Sequence, residues 1–248
     1  MTNNEVIIIG GSYSGLSAAM ALGRASRKVL IIDAGEPCNW QTPHSHNFIT
    51  HDGDTPASIS AKAKEQVLAY PTITFVNDKV TKAVKADDTF KITTESGKIF
   101  TSQKLLLATG VKDIMPVIEG FSDCWGISVI HCPYCHGYEV KGKKTALMAP
   151  ADIAAHFIPL LLQWTTDLTF FTNGPSNLSP EVAEKLAAKN ITIIETPIDS
   201  IQHTNGYMES IMLKNGDRHS FEVMYAKIPA VQHTFIAEDL GCKINDQG

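Results

Sequence analysis

The residues best equipped for chemistry are gathered in one short stretch, His131-Cys132-Pro133-Tyr134-Cys135-His136-Gly137-Tyr138-Glu139. Two cysteines at Cys-x-x-Cys spacing can close into a small disulfide ring. At the start of a helical turn their thiols are acidified, because a helix N-terminus stabilises a thiolate. The pattern therefore points to a redox pair. Zinc would need a second Cys or His pair, and a structural disulfide would need an oxidising compartment. His136, directly after the second cysteine, carries an imidazole with an ordinary pKa near about 6.5, suited to holding a proton at neutral pH. The other cysteines, Cys38, Cys124 and Cys242, stand alone.

The elements that must position this stretch are α/β units on either side of it. Val6-Ile7-Ile8-Ile9 is a continuous apolar run of the kind that fits a parallel strand buried on both faces. Gly10-Gly11-Ser12-Tyr13-Ser14-Gly15 then forms a glycine-rich turn, and apolar residues at helical spacing follow from Leu16 to Arg24. Lys28 to Asp33 reads as a second buried strand that ends in an acid. Strand, glycine turn, helix, strand and acid make a dinucleotide-binding fingerprint. Gly10 permits the tight turn and Gly15 permits close helix packing. Pyrophosphate would sit on the helix N-terminus, and Asp33 would accept from a ribose hydroxyl. Ser12 stands at the middle glycine position, where its backbone N–H remains available but its Cβ narrows the approach.

Further along, Thr55 to Tyr70 is expected to be helical, with Pro56 near its start. Residues 73 to 86 and 89 to 99 alternate like strands of a small antiparallel sheet, and Lys104 to Ala108 reads as another buried strand before Thr109-Gly110. Between these segments lies a histidine-rich loop with His44, His46, His51, Asp52 and Asp54. Imidazoles and carboxylates suit transition metals, but the irregular spacing in a polar loop argues against a metal site, and no metal is expected.

The glycine turn, Asp33, the Leu105-Leu106-Leu107-Ala108-Thr109-Gly110 run before a proline, and the following Cys-x-x-Cys together resemble the low-molecular-weight thioredoxin reductases, a family of flavoproteins, and the order of these features matches over nearly the whole chain. The resemblance implies an α/β fold of two Rossmann-like three-layer βαβ domains, the second inserted into the first. An FAD-binding domain would comprise residues 1–113 and 233–248, and an NAD(P)-domain-like insertion carrying the Cys-x-x-Cys would comprise 116–229. By the same resemblance Gly10, Ser12, Gly15, Asp33, Asn47, Val80, Thr109 and Gly110 fall at FAD-contacting positions, Cys135 faces the flavin and Cys132 is the interchange thiol. The Cys132-Pro133-Tyr134-Cys135-His136-Gly137-Tyr138-Glu139 stretch more closely resembles flavin-dependent dithiol oxidases, which use oxygen as acceptor. His136 stands where the reductases place an acid. The family implies a homodimer.

The insertion is expected to handle NADPH poorly. Lys144 to Ala149 reads as a strand and Asp152 to Trp164 as an apolar helix interrupted at Pro159. The turn between them should be glycine-rich so that N–H groups can press on pyrophosphate. It is Ala149-Pro150-Ala151, where proline has no N–H and the methyl groups fill the approach. No Lys or Arg occurs from Thr145 to Glu184 to meet a 2'-phosphate. Leu168 to Thr172, Pro180 to Asn190, Ile191 to Ile194, and strands from 197 to 228 around Asn205-Gly206 and Asn215-Gly216 complete the unit. The family's Gly-Asp segment, which meets the flavin pyrophosphate, has no counterpart before Gly248, which suggests an incomplete C-terminal part.

A formal net charge of -5 supplies no basic surface for nucleic acid, and no apolar run approaches a membrane span. No export signal precedes the first strand, so a cytoplasmic location is expected. The partners expected are a thioredoxin-like protein or a small dithiol or disulfide, with NADPH doubtful and ferredoxin or oxygen as electron partner. The activity is a thiol-disulfide exchange linked to flavin, its direction open. A non-enzymatic flavin-binding redox sensor is the alternative from a different class.

Overall fold

The computed structural model describes residues 3–245; the terminal Asp246 to Gly248 of the expected FAD-binding segment lie outside them. The chain divides into two compact units. The first comprises residues 1–40, 55–112 and 230–248, and the second comprises 41–54 and 113–229. The histidine-rich loop thus belongs to the second unit. Its Gln41 side chain donates to the carbonyl of Ser122 (3.2 Å), and its His46 lies 3.6 Å from the Glu139 carboxylate.

In the first unit, β1 (Asn3–Ile9), α1 (Tyr13–Arg24) and β2 (Val29–Asp33) form the expected βαβ unit. Helix α2 (Pro56–Leu68) is capped by Thr55, whose hydroxyl accepts from the Ser58 N–H, with Pro56 in the first turn, where its missing N–H is harmless. Strands β3 (Ile73–Asn77), β4 (Val80–Ala86), β5 (Thr89–Thr94) and β6 (Ile99–Leu107) complete one six-stranded sheet in the order β3-β2-β1-β6-β5-β4. The small antiparallel sheet expected from 73 to 99 is therefore only part of a larger one. β3 pairs in parallel with β2, while β4 and β5 join the sheet through β6. β6 lies antiparallel to β5 and parallel to β1. Continuous apolar runs suit β1 and β2 because both faces are covered: Ile7, Ile9, Leu30 and Ile32 pack on one side, and Ile8, Val29 and Ile31 on the other. β7 (Val111–Asp113) follows.

In the second unit, α3 (Phe121–Cys124), β8 (Val129–Ile130) and α4 (Pro133–His136) lead into β9 (Thr145–Met148), α5 (Ala151–Leu161), β10 (Leu168–Phe171), α6 (Pro180–Ala187) and β11 (Thr192–Ile194). A hairpin layer of β12 (Ile198–Thr204), β13 (Tyr207–Leu213) and β14 (Arg218–Ser220) precedes β15 (Val223–Ala226). The parallel sheet has the order β11-β10-β9-β15-β8, the Rossmann-like pattern with its core on both faces. Pro159 lies inside α5 without ending it. The packed residues Ala154, Ile158 and Leu161 are fully buried along that helix, and this apolar face outweighs the hydrogen bond that a proline removes. The chain closes with β16 (Ala230–Gln232), paired with β7, and α7 (Ile236–Asp239). The short elements α3, α4, α7, β7, β8 and β16 are too brief to leave a period in sequence. Among the described residues no helix is long and apolar enough to cross a membrane.

Candidate redox and cofactor site

Cys132 and Cys135 form a disulfide with Cα atoms 5.3 Å apart. Cys132 is the N-cap of α4 in extended backbone, Pro133 opens the turn, and the Cys135 N–H donates to Cys132 Sγ (3.2 Å). The same N–H would stabilise a Cys132 thiolate once the disulfide opens. Gly137 continues the turn and donates to the Pro133 carbonyl (2.7 Å). A Cβ on Gly137 would lie 2.9 Å from the Trp164 indole, so glycine is needed for this turn to lie against that ring. Trp164 also receives Tyr134 edge-on, with ring centroids 5.8 Å apart.

His131 precedes the pair and stacks on Trp125 (5.7 Å between centroids), whose indole N–H donates to Asp113 (3.0 Å). Burial pushes the His131 imidazole below its ordinary pKa. Burial is also the main reason that His136 lies below its ordinary value; His131 and His46 push it the same way, while Glu139 opposes them. A neutral His136 is thus available to take a proton well into mildly acidic solution. The sign follows directly. Activity that needs the neutral ring falls only as pH drops through this lowered pKa. Glu139→Gln removes the one opposing charge, so the acid limb of the rate profile should move to still lower pH. A limb that stays fixed or moves up would show that His136 is not the titrating group.

The sequence pointed to the cysteine pair and His136 but not to Trp164, Trp125 or His46 as their supports. Each arrives from a different part of the second unit, so no local spacing marks it. The histidine-rich loop is tied across by Ser45 and Gly53 (N to O, 2.8 Å), Ser45 and Asp54 (2.8 Å), and the His51–Asp54 pair (2.9 Å). Among the described residues no group of three or more His, Cys, Asp or Glu side chains is arranged to hold a metal ion.

In the first unit the expected dinucleotide residues line a cleft of about 480 Å³ bordered by Gly10, Ser12, Asp33, Thr109 and Gly110. A smaller cavity of about 130 Å³ shares Gly10, Asp33 and Thr109 and adds Val80. Gly10 has φ +105°, and a Cβ there would strike the Ala108 carbonyl. Gly15 does not border the cleft; it lets α1 press against the Gly10 carbonyl, which a Cβ would occupy. Gly110 has φ +67° with open space beside it. The Asp33 carboxylate accepts from the Gly11 N–H (2.7 Å) and the Gly35 N–H (3.1 Å), which fixes it at the end of β2. Ser12 caps α1 without a side-chain bond, leaving its hydroxyl uncommitted to the helix. Asn47 lies in the second unit, held at φ +60° with its N–H donating to Asp52 (2.7 Å). Cys38, Lys64 and His233 also border the larger cleft and carried no sequence signal. This glycine cradle, with space for an extended nucleotide and a fixed acid, fits the adenosine and pyrophosphate of FAD.

The corresponding junction of the second unit does not fit NADPH. Pro150 is the N-cap of α5 and Ala149 is buried. Asp152 adds negative charge in the first helical turn, where an anion would have to sit. Beyond β10, Glu195 accepts from the Ser176 N–H (3.1 Å), and its pKa is lowered first by the Ser176 side chain and then by that N–H. A carboxylate thus occupies the neighbourhood in which a 2'-phosphate would need a cation.

Residues 4–154 match the pyridine nucleotide-disulphide oxidoreductase family. Thioredoxin reductase sirT of Leptosphaeria maculans is 31% identical over 98% of this chain and 80% of its own length. A putative thioredoxin reductase TrxB from Bacillus anthracis superposes with a TM-score of 0.95 at 29% identity, covering 99% of this chain and 82% of that one. An oxidoreductase from Agrobacterium tumefaciens reaches 0.91 at 37% identity, covering 99% and 81%. With its glycine cradle, fixed acid and Cys-x-x-Cys disulfide, the chain belongs to the pyridine nucleotide-disulphide oxidoreductases, as a thioredoxin reductase-like flavoprotein that uses FAD.

Proposed function

We propose that this protein exchanges electrons between FAD and a disulfide or dithiol through Cys132 and Cys135, with His136 managing the proton. The observation that carries this reading is the disulfide at the mouth of α4, with a backbone N–H on Cys132 Sγ and a neutral imidazole next in sequence. In the oxidising direction a substrate dithiol loses two S–H bonds and gains one S–S bond, while the Cys132–Cys135 bond opens to two thiols. The reverse direction reduces a substrate disulfide, such as that of a thioredoxin-like protein. FAD, when bound, supplies the two-electron acceptor or donor. Gly10, Ser12, Asp33, Thr109 and Gly110 would hold its nucleotide half, Gly15 would seat the helix beneath it, and Val80 and Asn47 are further proposed contacts. Cys132 would be the interchange thiol and Cys135 the sulfur that communicates with the cofactor.

The Ala149-Pro150-Ala151 junction and the Glu195 carboxylate favour a second, narrower reading, in which electrons enter from a dithiol and leave to oxygen, without NADPH. Ferredoxin as donor is the other route that avoids a nicotinamide. Likeness to thioredoxin reductases supports a homodimer, and the single unpaired cysteines suit a reducing cytoplasm.

Anaerobic mixing tests both readings. Dithiothreitol should bleach the flavin, whereas NADPH at the same concentration should leave it oxidised. Rapid bleaching by NADPH would overturn the NADPH-free reading. Bleaching by neither reagent would sink the enzyme reading and favour a redox sensor.

A further inference from the structure

The second unit contains a line of titratable side chains behind the cysteine pair that the exchange chemistry does not by itself require. Glu139 follows His136 by three residues, just beyond the end of α4, and its charge acts on the His136 imidazole. The Glu139 carboxylate lies 3.6 Å from His46 Nε2, and the opposite nitrogen, Nδ1, lies 3.6 Å from Asp52. Asp52 is fixed by the Asn47 N–H (2.7 Å), while its side chain remains 66% exposed. Side-chain exposure is 37% at Glu139, 22% at His46 and 66% at Asp52, so the line ends on an open carboxylate. A histidine bridged by two carboxylates through its two nitrogens can accept a proton on one side and release one from the other. Contacts of this length close through a bridging water or a small rotation.

We infer that His46 is a positioning and relay residue, which links Glu139 to Asp52 and gives the proton held by His136 an outlet to solvent. The inference rests on the proposed redox role of Cys132 and Cys135. When the reduced pair closes again, two S–H bonds break and one S–S bond forms; FAD, when bound, would take the two electrons together with one proton. The other proton goes to the His136 imidazole, which can serve the next turnover only after releasing it. Glu139, His46 and Asp52 provide a path for that release, and in the reducing direction the same path delivers protons.

The surroundings of the line are polar on one side and closed on the other. His136 also feels the charge of His131, which in turn feels Lys227 and Asp113. Glu139 also acts on Tyr225, whose buried hydroxyl has no hydrogen-bond partner among the described residues and is pushed far above its ordinary pKa, mainly by burial. Tyr225 is therefore a closed end rather than a second exit. His44, with its ring 6.4 Å from that of His46, is tied to the Gly53 carbonyl (2.9 Å). Asp54 is engaged by His51.

The test is stopped-flow mixing of the FAD-loaded full chain with dithiothreitol, following flavin absorbance and proton release with a pH indicator, for wild type, His46→Asn and Cys135→Ser. His46→Asn should slow the proton-coupled phase at least about tenfold, less than the 10²–10⁴ expected for a direct general acid–base residue. Its dependence on pH should flatten, and added imidazole should restore the rate. Unchanged proton release and an unchanged pH profile would overturn the relay. Slowing that imidazole does not rescue, accompanied by lost flavin, would also overturn it, because the residue would then be structural. Cys135→Ser separates this outcome from failure of the underlying reading: if that variant still passes electrons, the redox-pair assignment falls, whatever His46 does.

Discussion

Cys135→Ser should bring electron passage between thiol substrate and flavin down by on the order of 10⁴-fold or more, the scale of losing a reacting nucleophile rather than a helper. The reason is stoichiometric. Two electrons leave the pair only when both sulfurs can join, and one thiol cannot close a disulfide. The substitution is nearly isosteric, and the Cys135 N–H that reaches Cys132 Sγ belongs to the backbone, so the turn keeps its hydrogen bond. The measurement is anaerobic flavin bleaching by a dithiol, together with a spectrum showing that flavin is still bound. Retained flavin with no bleaching is the expected result. Retained bleaching at a comparable rate would show that electrons bypass the pair.

Gly15→Ala should be a severely damaging small change in the first unit. A methyl group at Gly15 has to occupy the position of the Gly10 carbonyl oxygen, which is backbone and cannot step aside. Helix α1 must then lift from the β1 turn, destabilising the unit by about 2–3 kcal/mol and spoiling the N–H geometry on which pyrophosphate would rest. The variant should purify with markedly less flavin and unfold at lower denaturant concentration. Because it could fail to fold at all, Ser12→Gly serves as its partner. Ser12 makes no side-chain cap bond, so glycine there removes only a Cβ from the approach and alters helix stability by a few tenths of a kcal/mol. Flavin content in Ser12→Gly should hold or rise. A loss as large as in Gly15→Ala would show that the turn does not cradle the cofactor.

Legibility differed by the range of the interaction. The sequence by itself determined the βαβ unit at β1, α1 and β2, because continuous Val and Ile runs, the glycine turn and Asp33 are local signals that state where a strand is buried and where the backbone must bend. It determined the cysteine pair, since Cys-x-x-Cys spacing is set by one helical turn. It also marked the poor second nucleotide junction, because Pro150 lacks an N–H in any fold. What only the tertiary structure decided depends on distant segments meeting. The strands from 73 to 99 could have formed a separate antiparallel sheet, but β3 pairs in parallel with β2. The histidine-rich loop reads as polar linker, yet it folds onto the second unit, where His46 meets Glu139 across more than ninety intervening residues. Trp164 and Trp125 came to support the Cys-x-x-Cys turn in the same way. A side chain's neighbours along the chain fix its backbone preference, whereas the partners that set its proton affinity are chosen by packing, and packing is settled only once the whole unit has folded.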